Sequence, residues 1–262
     1  MRVLTRDAAA TRADLDAVAL KPAECDVSRA TALPFDVVTI DYEGREHLPD
    51  AATLRALAAE KTVRVTVPVR ADGFDPLCDD SLLSTLPDCV GRVYVAGHSA
   101  YLTEEERRRA VSPRLGALLG EDDDGWVGTE GIERVALATG ATQFELLSRT
   151  TAQEFSGLRA AGFEGDLAVY APTVLSADED VVLDAVGSYV GRRRVVSEAL
   201  PAGSPTDSAA TGRAREVLLA AADDFALTGT PGEIRERVRA LRDAGATHVV
   251  GYPAGGVDSF MA

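Results

Sequence analysis

Eight short apolar, β-branched runs recur along this chain, separated by stretches with helical punctuation. The runs are Leu15–Leu20, Phe35–Ile40, Val63–Val69, Arg92–Ala96, Leu115–Leu119, Gln143–Leu147, Leu167–Tyr170 and His248–Tyr252. Their apolarity is continuous rather than alternating, as strands covered on both faces require. The repetition predicts an α/β fold closed into one (β/α)8 barrel, a TIM barrel, over residues 1–262. An open, doubly wound sheet could use the same runs, but its phosphate signatures are missing: no GxGxxG follows the first run and no GxxxxGK occurs.

Helix starts are marked by S/T-x-x-E pairs at Thr103/Glu106, Thr151/Glu154, Ser176/Glu179 and Thr230/Glu233, the pattern in which cap and third residue satisfy each other's orphan amides. The last is the clearest: Pro231 follows the cap, Ile234, Val238 and Leu241 share a face, and Gly245 ends the helix. The long gap between the seventh and eighth runs predicts two helices, about Asp178–Ser197 and Ala209–Ala222, split by the polar PAGSPTDS segment, and no ninth strand.

Charge narrows the partners. With 42 acidic and 27 basic residues the formal net charge is −15, which repels nucleic acid. Only Lys21 and Lys61 are lysines, and this acidic, lysine-poor composition resembles that of halophilic, haloarchaeal proteins, which negative charge keeps soluble in molar salt. No apolar run reaches the ~18–20 residues of a membrane span, and the first residues are charged, so a cytoplasmic location is expected. Cys25, Cys78 and Cys89 form no CxxC pair and are expected as buried or half-buried fillers; His47, His98 and His248 lack metal-ligand spacing, so no metal site is expected.

Barrels of this class gather their chemistry at the carboxyl ends of the strands. Those ends carry Lys21, then Asp41, Tyr42 and Glu43, Arg70, His98 and Ser99, the EDDD run at 121–124, Thr173 and Tyr252. His98 is the best acid/base candidate, because imidazole titrates near neutrality. Lys21 could form a Schiff base; the plainer reading is an ion pair with Asp41 or Glu43. The EDDD run reads as a divalent-cation loop or, more simply, a solvated one. Gly125–Gly131 precedes a helical pattern, so its amides could receive a phosphate, although Glu130 would compete with the anion.

Three segments, VGTEGIERVALATG, LAVYAPTVLSADEDVVLDAVGSYV and FALTGTPGEIRERVRALRDAGATHVVGYPA, together with the helical stretch 178–222, follow one another in a familiar order. Over roughly residues 125–262 the chain resembles the superfamily of luciferase-like flavin monooxygenases and deazaflavin-dependent reductases. The resemblance implies a luciferase-like barrel with extra helices between strands seven and eight. It further implies a deazaflavin coenzyme or FMN, with phosphate at Gly128, Thr129 and Gly131, and a ring near Val67–Asp72 and Ala96–Ser99, hence near Arg70, Ser99 and His98. The implied reaction is hydride transfer with an unknown small substrate, in a homodimer, and a cofactor supplying the hydride leaves no obligatory triad to find. Two alternatives stay open: a barrel of the same ancestry without cofactor, binding a metabolite or a protein partner, and a lyase using Lys21.

Overall fold

The structure, a computed structural model, describes residues 9–79, 81–97 and 102–261. Eight parallel strands close into a barrel: β1 (Ala17–Leu20), β2 (Val37–Ile40), β3 (Thr62–Pro68), β4 (Gly91–Val95), β5 (Trp126–Gly128), β6 (Thr142–Leu146), β7 (Leu167–Val174) and, after a short β8 (Leu227–Thr228), β9 (His248–Pro253). Neighbours pair in chain order from β1 to β7. β7 then pairs with β9, and β9 returns to β1 through Ala17↔Val250 and Val18↔Gly251, which closes the ring. The open-sheet alternative is thereby excluded.

Seven of the eight expected runs hold strands. The exception is Leu115–Leu119, which lies in the helix Val111–Leu119 with Leu115 and Leu118 buried three residues apart on its inner face. That spacing is helical, and a run of leucines and alanines satisfies it as readily as it does a strand. The fifth strand is instead Trp126–Gly128, inside the stretch expected to be a phosphate loop. The expectation of no ninth strand is also corrected. Leu227–Thr228 pairs with the upper end of β7, Thr173↔Leu227 and Val174↔Thr228.

Alternate strand residues point inward. Outward-facing Val18, Leu20, Val38, Ile40, Val63, Val65, Val67, Leu167, Val169 and Val249 join the helices in the main core. The lumen receives Ala17, Ala19, Val93, Trp126, Phe144, Ala168, Tyr170 and Val250. Its lower part is sealed by Arg64, which donates to the Asp124 carboxylate (2.7 Å) and carbonyl (2.9 Å) and lies 4.3 Å over the Trp126 ring. A buried guanidinium needs that density of partners, since an unpaired charge at this depth would cost several kcal/mol.

Thr103/Glu106 and Thr230/Glu233 form both halves of the capping box. At the other two positions the helix starts are set differently. Thr150 occupies the N-cap position of the helix Thr151–Ala160 without a side-chain cap bond, while the Thr151 hydroxyl accepts from the Ser148 amide. Asp178, not Ser176, caps the helix Glu179–Gly191. That helix, together with Arg194–Ala199 and Gly212–Phe225, forms the extra layer between β7 and β9, around Leu183, Val190, Val196 and Leu218. Three helices therefore occupy residues 179–225, where two were expected, the first expected helix being broken near Arg192–Arg193. Cys25 is half-buried, but Cys78 and Cys89 are exposed, so the filler reading fails for those two. Among the described residues no helix is long and apolar enough to cross a membrane.

Candidate active site

Closure brings the ends of β1, β2, β7 and β9 to one mouth. Tyr170, pointing inward from β7, donates its phenol hydrogen to the Asp41 carboxylate at 2.8 Å, a contact between residues 129 positions apart. Lys21, one residue past β1, places its ammonium 4.5 Å from the centre of the Tyr252 ring and 3.6 Å from the Glu24 carboxylate. The Tyr252 hydroxyl donates to Glu24, and Tyr252 lies near-parallel to Tyr170, centroids 6.2 Å apart. Below them the ring contacts continue through Phe144 and Trp126 to His248. The mouth thus has an aromatic floor and a polar rim.

Burial pushes the Asp41 carboxyl up to about 6, against the Tyr170 hydrogen bond and the Lys21 charge, both of which favour the carboxylate. Burial and the Asp41 charge hold the Tyr170 phenol well above the ordinary tyrosine range. Tyr252 is raised in the same way, by burial and by Glu24. A carboxyl poised near neutrality against a phenol that stays protonated can exchange a proton while the phenol fixes its orientation.

Of the expected site residues, Lys21 and Asp41 meet here. The ion-pair partner of Lys21 is Glu24, however, rather than Asp41 or Glu43; Glu43 instead accepts from the Ala23 amide at 2.9 Å. His98 and Ser99 lie outside the described residues. In the sequence Tyr170 is the end of an apolar run, and the signal it offers is a tyrosine at an inward position of a strand end. Arg193, within the sequence Arg192–Arg194, places its guanidinium 4.9 Å from the Tyr189 ring centre and 3.1 Å from Glu130, the residue two past β5. Two residues of the EDDD run hold the fold. Asp122 accepts from the Tyr94 hydroxyl at 2.8 Å and Asp124 holds Arg64. Among the described residues no group of three or more His, Cys, Asp or Glu side chains could hold a metal ion.

The coenzyme implied by the resemblance needs donors for a phosphate. Gly128 closes β5, where an added Cβ would meet Val95 Cγ1 at 2.7 Å, so this glycine serves strand packing. The Thr129 amide donates to the Phe144 carbonyl (3.0 Å), the Ile132 amide to the Thr129 carbonyl (2.9 Å), and the Gly131 amide to the Glu133 carboxylate (2.9 Å). Gly131 has φ 75° with open space beside it, a turn requirement rather than a cradle. Arg70 directs Nε to the Ala96 carbonyl (3.0 Å) and Nη1 to those of Arg107 (3.2 Å) and Arg109 (3.0 Å). With these donors engaged and the carboxylates of Glu130 and Glu133 beside them, Gly128, Thr129, Gly131 and Arg70 do not fit a phosphate.

A family model described as a family of unknown function (DUF7388) matches residues 10–260. No curated protein matches the chain. Among solved structures, an F420-dependent secondary alcohol dehydrogenase in complex with an F420-acetone adduct aligns with TM-score 0.57 and 13% identity, over 92% of this chain and 94% of that one. Monooxygenase RslO1 from Streptomyces bottropensis aligns with TM-score 0.51 and 19% identity, over 91% and 92%. At these identities the likeness is one of fold, a closed (β/α)8 barrel.

Proposed function

The chain belongs to DUF7388, and we propose that its barrel mouth binds a small neutral metabolite bearing a hydroxyl or carbonyl group and moves a proton on it. The observation that carries this reading is the Asp41–Tyr170 hydrogen bond at the mouth, with Asp41 raised to about 6. Asp41 is the base and then the acid. Tyr170 positions it, and the Lys21 ammonium stabilises negative charge developing on the substrate oxygen. Asp41, Glu24 and Glu43 together disfavour an anionic substrate.

A second reading is a luciferase-like oxidoreductase using a deazaflavin coenzyme or FMN, and the fold likeness favours it. Its phosphate would need donors other than the glycine stretch, Arg193 among them.

Both are tested in high salt, where a chain of net charge −15 is screened from its own repulsion. Hydroxyacetone in D2O is followed by proton NMR for exchange of its carbon-bound hydrogens. Wild-type protein is expected to speed the exchange, the rate rising as pH passes about 6. Asp41→Asn is expected to slow it by at least about tenfold, with the fold retained. Tyr170→Phe, which removes a hydrogen bond that favours the carboxylate, is expected to move the midpoint to higher pH. No exchange, or exchange indifferent to Asp41, sinks the first reading. Saturable binding of FMN or the deazaflavin, read by fluorescence, would then establish the second.

A further inference from the structure

On the outer side of the barrel wall, away from the mouth, β6 turns Glu145 toward the helices rather than the lumen. A groove of about 380 Å³ opens there between the helices Glu133–Thr139 and Thr151–Ala160. Glu133, Glu145 and Glu154 line it beside Leu137 and Leu158. Three carboxylates around a cleft are commonly no more than a solvated face. Here a second feature points to a ligand. Thr129, only 4% exposed, also lines the groove, and its hydroxyl has no hydrogen-bond partner. A buried hydroxyl left without a partner is destabilising, so an occupant that satisfies it gains from doing so.

The chemistry of the occupant follows from the walls. The acidic groups ask for a positive charge, but no described group of three or more His, Cys, Asp or Glu side chains suits a metal ion. The apolar side includes Leu137, one of the few large hydrophobic residues left 40% exposed. A bare inorganic cation would leave that surface wet, whereas an organic cation with an aliphatic arm covers it.

We propose that this groove binds a small primary alkylammonium, its nitrogen between Glu145 and Glu154 and donating to the Thr129 hydroxyl, its chain against Leu137 and Leu158. The site is separate from the mouth and stands whichever chemistry occurs there. Burial and the adjacent Glu154 raise the Glu145 carboxyl to about 8, with Glu133 adding to the same effect. An arriving cation therefore displaces a proton. Among the described residues, the charged groups lining the cleft are Glu133, Glu145, Glu154 and Arg134.

The experiment is calorimetric titration of the full chain with n-butylamine, protonated at the pH used, with 1-butanol as the neutral counterpart. Saturable one-site binding of butylammonium and none of butanol is expected. Glu154→Gln is expected to weaken binding tenfold or more, and the near-isosteric Thr129→Val threefold or more. At pH 7.5 the heat is expected to vary with the ionisation enthalpy of the buffer, reporting proton release; by pH 9.5, with Glu145 already ionised, that dependence disappears. Absence of saturable binding, equal binding of butanol, or unchanged affinity in both variants overturns the proposal. Thr129→Val changes no charge, so it keeps the test decisive should Glu154→Gln fail to fold.

Discussion

Gly187→Ala is expected to lower stability by about 2–4 kcal/mol, seen as a fall in melting temperature of several degrees. The residue lies in the interior of the helix Glu179–Gly191, where alanine would ordinarily gain about 1 kcal/mol over glycine. The surroundings reverse the sign. A Cβ at 187 would stand 2.2 Å from the Thr206 carbonyl oxygen and 3.1 Å from its carbon, both backbone atoms. Neither a rotamer change nor a small tilt relieves such an overlap, and the Ser208 amide, donating to Asp184 at 2.9 Å, ties the loop to the same helix. Helix and loop must part. The helix carries Tyr189, and Arg193 follows it with its hold on Glu130, so the displacement should also loosen the cover over the β5 end of the mouth. Gly191→Ala is the control. Its nearest neighbour is the Thr206 methyl at 3.1 Å, a side-chain atom that can yield, so a much smaller loss is expected. Equal melting of Gly187→Ala and wild type would show that the loop does not lie against the helix as described.

Position 187 also illustrates what a sequence of this kind conceals. Repetition of apolar runs made the barrel readable, because a strand buried on both faces leaves an uninterrupted signature. The signature fails where a strand is short. Trp126–Gly128 is three residues long and hidden among glycines and acids, while Leu115–Leu119 has the right composition in a helix. Capping signals held where the threonine directly preceded the helix, at Thr103 and Thr230; they failed where the helix started one residue earlier, after an unbonded Thr150, and where Asp178 took the role from Ser176. Lys21 and Asp41 were legible as site candidates because charged residues at strand ends must face the mouth or water. Tyr170 was not, since an aromatic in an apolar run looks like core until the ring closes and brings it to Asp41. The donors of the glycine stretch were equally hidden, because only the folded turn reveals that Glu133 takes the Gly131 amide.

Glu145→Gln is expected to stabilise the protein by about 2–3 kcal/mol at pH 9, and to make little difference below pH 4. The folded carboxyl is raised from 4.5 to about 8, first by burial, then by its hydrogen bond and repulsion with Glu154. A carboxyl raised on folding holds its proton more tightly in the native state. Its contribution is therefore complete below the unfolded value and is lost progressively as pH climbs from about 4.5 to 8. At about 1.4 kcal/mol per pH unit the full shift would be worth nearly 5 kcal/mol; solvent reaching this half-buried groove reduces that figure. Glutamine keeps an oxygen for the Thr151 hydroxyl, which lies 3.4 Å from Glu145 Oε1, and its uncharged amide cannot repel Glu154. The general acidity of the chain weakens both proteins alike at high pH, so the difference between their melting curves isolates position 145. A gap that opens between pH 5 and 8 and is level above is the expected signature. Superimposable curves through pH 9 would mean that the carboxylate ionises in water, and that the outer groove lacks the dry acidic wall on which alkylammonium binding depends.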